Sequence, residues 1–107
     1  MGLVIPFNRN ENIMDIKEFT ESIVKKEMPQ GLSLPLQALW HDADGNWQKA
    51  HELVDGPEGK VFARVHAYLH RKEGDLWNAD YWYRRSAEER PQTSLKEEWE
   101  FLVRRLL

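Results

Sequence analysis

The chain has 107 residues, with 15 Lys and Arg against 18 Asp and Glu and a net charge of −3. That length suits one small domain with a single core. The absence of cysteine excludes disulfides, iron–sulfur clusters and thiolate chemistry. The mild acidity argues against nucleic acid as a partner, since phosphate backbones call for a basic face.

Residues 1–13 read as a polar lead-in. Pro6 breaks the short apolar start, and Asn8-Arg9-Asn10-Glu11-Asn12 has no period. With no basic region before Pro6 and no apolar run long enough for a bilayer, neither a signal peptide nor a membrane partner is expected, and the default is a cytoplasmic protein. The domain is expected over 14–107. A first helix fits 15–27, with Ile16, Phe19, Ile23 and Val24 on one side, Asp15 as N-cap, and Pro29 and Gly31 as the stop. A second fits 34–43, capped by Ser33, with Pro35 in the first turn and Gly45 beyond its end. A short third runs 47–54 behind Asn46, and 55–59 is a turn. A fourth runs 60–73 and is stopped by Gly74; a fifth starts after Asp75 and reaches about Glu88. The sixth, 95–106, opens with a capping box of Ser94 and Glu97. No segment alternates with period two, so the reading is all-α, about six helices.

The chain also repeats itself. A shift of 29 residues lays Ala38 on Ala67, His41 on His70, Gly45 on Gly74 and Ala50 on Ala79. Each copy describes a helix, a glycine turn with a polar cap, and a second helix with a small residue five positions on. The small residues permit the close approach that a helical hairpin needs. In the second copy Gly74, Ala79, Tyr83, Ser86 and Pro91 stand at the spacing of the tetratricopeptide repeat, which that half resembles. His70 replaces the usual aromatic and the leading tryptophan is missing; the first copy keeps only Gly45 and Ala50. The strings 39–51 and 66–85 also look like a family of small bacterial proteins, a resemblance that implies no activity. Both resemblances imply two stacked helical hairpins, and the terminal helices are expected to cover their ends.

Two sets of residues could carry function. His66 and His70, four apart on one helix, leave the same face, and Glu73 continues it by one turn. Such a pair can chelate a divalent metal such as zinc, with a third ligand from His41 or His51. The glutamate of a metalloprotease helix is absent between them. The plainer reading makes these histidines packing and capping residues, since His41 and His70 occupy equivalent repeat positions near helix C-termini.

The second set lies on the fifth helix, which is apolar nearly all round. Ala79 and Tyr83 belong to its core stripe; Trp77, Tyr81, Arg84 and Arg85 form another. Burial against the first or sixth helix is the ordinary outcome; the alternative is a surface for a protein or peptide partner, or a second copy of the chain. The charge runs, including Arg71-Lys72 and Glu97, Glu98 and Glu100, read as solvated groups complementing helix dipoles, and Asp42 and Asp44 as turn caps. No nucleophile–base set or phosphate loop is present. The expectation is therefore a protein-binding module without cofactor, with a histidine metal site as the alternative.

Overall fold

A computed structural model describes residues 14–107, so the expected lead-in at 1–13 lies outside the described residues. Among them six helices form and no strand: α1 (Ile16–Lys25), α2 (Leu34–Ala43), α3 (Trp47–Asp55), α4 (Lys60–Glu73), α5 (Leu76–Arg85) and α6 (Leu95–Leu106). The protein is all-α.

Local chemistry sets most of the boundaries. Asp15 and Ser94 close reciprocal capping boxes with Glu18 and Glu97. Ser33, Asn46 and Asp75 each accept the N–H of the residue three positions on. Caps of this kind contribute about 1 kcal/mol each. Gly45 and Gly74 end α2 and α4 with positive φ, and the same pair of hydrogen bonds closes both turns. The N–H groups of Gly45 and Asn46 bond the carbonyls of Asp42 and His41; those of Gly74 and Asp75 bond Arg71 and His70. The 29-residue repeat is thus a repeat of hydrogen bonds as well as letters.

Two ends differ from expectation. α1 stops at Lys25, not at residue 27, and α5 at Arg85, not near Glu88. Both finish in the same double turn, with Lys26 (φ 61°) and Ala87 (φ 63°) in the left-handed position that glycine usually takes. No glycine stands at either left-handed position; Pro29 and Gly31, read as the first stop, lie beyond it.

α2 and α3 form one hairpin and α4 and α5 a second, which stacks on it through α2, α3 and α4. Ala38, Ala50, Ala67 and Ala79 are fully buried where the helices approach most closely. α6 then crosses back over α2 and α4, and α1 packs on α6. The Trp99 indole donates to the Leu39 carbonyl, 60 residues away, while Leu102 and Val103 enter the core with Phe19, Leu39 and Leu69. The inner face that stacked hairpins commonly offer to a ligand is filled here by the chain's own α6.

Several polar residues that read as solvated or as turn caps are buried. Glu98 is 1% exposed; it accepts hydrogen bonds from Arg64 (2.7 Å), Arg71 (2.6 Å) and the Tyr83 hydroxyl (2.5 Å). Asp42, expected as a cap, lies inside and accepts from Tyr68 (3.1 Å) and Lys72 (2.9 Å). Asp44 bonds Lys26. Glu98 and Asp42 are buried because cations from neighbouring helices reach them, and a carboxylate leaves water only with such partners; Asp44 stays partly exposed.

Candidate metal centre: the imidazoles between the hairpins

α4 carries His66 and His70 on its side facing the first hairpin, and α3 brings His51 to meet them. The His51 and His66 Nε2 atoms are 3.1 Å apart. The rings of His66 and His70 stack at 4.9 Å, and the His51 ring stands edge-on to both. One nitrogen from each of the three lies within 4.8 Å of the others. His66 and His70 are buried and His51 is half-buried.

Aromatic walls hold the group in place. Trp82 of α5 lies flat on His66, with centroids 3.9 Å apart, and Trp47 lies flat on His51 at 5.0 Å. The Trp47 indole is itself pinned by a hydrogen bond to the Leu69 carbonyl. His70 Nδ1 is 2.7 Å from the Glu73 carboxylate, one turn on. An imidazole that gives its Nδ1 proton to a carboxylate keeps its lone pair on Nε2.

His66 has the most unusual surroundings. Burial, reinforced by its neighbours His70 and His51, pushes its pKa down from 6.5 to about 4, with Asp55 opposing. The ring is therefore neutral at physiological pH. Its Nδ1 is buried without a hydrogen-bond partner, the one such side-chain atom among the described residues. An unmatched buried polar atom costs about 1–3 kcal/mol, so it calls for an explanation.

The remaining expected ligands fall elsewhere. His41 stands edge-on to Trp40, apart from the three-nitrogen group. It neighbours Asp42, which faces inward; one residue along a helix is a turn of about 100°, and that carries His41 away. Glu73 meets His70 alone of the three histidines, and His70, Glu73 and Asp75 form a second group of possible ligands whose carboxylates are exposed. Asp55, not singled out in sequence, brings Oδ1 to 3.9 Å from His66 Nε2. Its spacing from His51 was a usable signal: the two are four apart on α3, as His66 and His70 are on α4.

On α5, Trp82 turns inward, while Trp77 is 81% and Tyr81 39% exposed. Neither is covered by α1 or α6, because α5 packs chiefly on α4. Arg84 and Arg85 are exposed beside them, and the Arg85 guanidinium lies 5.6 Å from the Tyr81 ring centre.

The chain matches no family model, no curated protein and no solved structure. Among the described residues no helix is long and apolar enough to cross a membrane.

Proposed function

We propose that this protein binds a divalent transition-metal ion, zinc foremost, through His51, His66 and His70. The observation that carries the reading is the convergence of three imidazoles in one place, two of them with Nε2 atoms at 3.1 Å. A tetrahedral zinc with nitrogens at 2.0–2.1 Å separates neighbouring ligands by about 3.3 Å. The spacing found differs by a few tenths of an ångström.

Three further features support it. His66 is neutral, so an ion has no proton to displace there at neutral pH. Glu73 on His70 supplies the carboxylate–imidazole pairing that orients metal-bound histidines. The donors are nitrogens without thiolates, a set that suits zinc, copper(II) or nickel(II). Simple packing accounts for the stacking on Trp82 and Trp47; the close approach of the His51 and His66 Nε2 atoms is what a shared ion would use.

Elemental mass spectrometry of tag-free protein, purified without chelator, tests the proposal together with thermal melts in excess zinc. About one zinc per chain is expected, or a melting temperature that rises with zinc concentration. Both signals should disappear in the His51→Gln, His66→Gln double variant. A metal blank with unchanged melts refutes the proposal.

A second reading is favoured by the exposure of Trp77 at the surface. Trp77, Tyr81, Arg84 and Arg85 suit an acidic peptide partner: aromatic rings and arginines dominate binding energies at interfaces, and arginine pairs with carboxylates through two parallel hydrogen bonds. With α6 across the inner face of the hairpins, α5 offers the accessible aromatic surface.

A further inference from the structure

We infer that Asp55 is the fourth ligand of the proposed ion, making the centre a closed site of three imidazoles and one carboxylate. The inference rests on the three-histidine reading and extends it. His51 and Asp55 stand four apart on α3, and His66 and His70 four apart on α4, so two neighbouring helices face each other with one i, i+4 pair apiece. This is how two packed helices deliver four donors to one point.

One distance bears on it, since Asp55 stands beside His66 but outside the group of three histidine nitrogens that lie within 4.8 Å of one another. Asp55 Oδ1 is 3.9 Å from His66 Nε2, and a tetrahedral edge of about 3.3 Å requires it to approach by little more than half an ångström. Asp55 is the last residue of α3, its side chain is 58% exposed, and His66 is its one ionic contact among the described residues. A carboxylate so placed can swing onto an ion without breaking any other bond.

Charge points the same way. Imidazole ligands bring no negative charge to a divalent ion, and a buried charge needs a counter-charge. Asp55 supplies one directly, while Glu73 acts at one remove through His70. A cavity of about 400 Å³, lined by Asp55, Lys60, Trp82 and Arg85, opens beside the carboxylate and against the Trp82 ring that stacks on His66.

Cobalt(II) provides the test, because its visible spectrum reports both ligand number and access by outside anions. The 107-residue protein, its Asp55→Asn variant and a His66→Gln variant are each titrated with cobalt(II), then with azide. The wild type is expected to give the intense bands of a four-coordinate ion and to ignore azide. The Asn variant should still bind, at least tenfold more weakly, a loss already seen when only an outer-shell partner is removed. Its spectrum should shift and respond to azide. If wild type and Asp55→Asn share one spectrum and one affinity, Asp55 is not a ligand. If the wild-type spectrum changes with azide, the site is open, and the closed-site inference falls while the three imidazoles stand. If the wild type binds no cobalt, or binds it as tightly after His66→Gln, the three-histidine reading falls as well.

Discussion

Helix α4 is buried on two faces, and their polar groups are settled in opposite ways. Toward α6, Arg64 and Arg71 meet Glu98, Tyr83 adds its hydroxyl, and Arg64 also reaches Glu88 at 2.9 Å. Each charge there has a counter-charge within hydrogen-bond distance. Toward α3 and α5, His66 and His70 meet another imidazole and two indoles, and one nitrogen has no partner. A matched network specifies how helices dock, because no other register satisfies it. The imidazole cluster, walled by aromatic rings, has no such network, and it is where the proposed ion would sit. The first face is matched charge for charge; the second carries the proposed site.

The sharpest way to break this contrast is to remove the hub of the matched face. Glu98→Ala leaves Arg64 and Arg71 without their buried counter-charge. A loss of about 3–5 kcal/mol is expected, the range for breaking a buried ion pair by removing one partner. Urea melts monitored by circular dichroism measure it, and a loss below 1 kcal/mol would mean that the network does not hold α6.

The unmatched face should show itself in acid. Because the folded-state pKa of His66 is depressed to about 4, the unfolded chain binds a proton below pH 6.5 that the folded chain refuses. Stability from this group is fully present above pH 6.5 and is lost as the pH falls toward 4. At 1.36 kcal/mol per pH unit the loss is on the order of 3 kcal/mol. Replacing His66 by Phe keeps a flat ring against Trp82 and should flatten that part of the curve. Urea melts at a series of pH values decide; parallel curves for the two proteins would show that His66 is not held neutral.

The smallest effect is expected on α5, at a residue that belongs to neither face. Trp77→Ala should change stability by less than about 0.5 kcal/mol, as is usual for exposed positions. The same variant tests the second functional reading. Fluorescence anisotropy with a labelled acidic peptide should show binding by the wild type and at least tenfold weaker binding by the variant. No wild-type binding would remove that reading.

Much of the fold could be read in advance where short-range chemistry decides it. Ser33 with Pro35, Gly74, and Ser94 with Glu97 marked helix ends that the structure keeps. The ends at Lys25 and Arg85 were hidden because lysine and alanine occupy the left-handed position, at a cost that nothing local announces. Glu98 looked solvated because its partner Arg64 lies 34 residues away on another helix. The site divided along the same line. The pairing of His66 and His70 follows from helical spacing alone; the choice of His51 over His41 depends on how α3 meets α4. Asp55 stood at a readable distance from His51, yet a carboxylate opening a turn has many commoner uses.

The crossing of α6 also shapes the order of events as the chain folds. The hairpins close over short stretches of chain, whereas the Trp99 to Leu39 bond spans 60 residues and Arg64 to Glu98 spans 34. Contacts between nearby residues form fastest, and distant ones wait on the entropy of loop closure. On this ground α6 is expected to dock last, onto hairpins already standing. Interactions made after the rate-limiting step slow unfolding and leave folding speed nearly unchanged. The bonds to Glu98 act as a brake on opening, so the lifetime of the native state is set on one side of α4 while the imidazoles wait on the other.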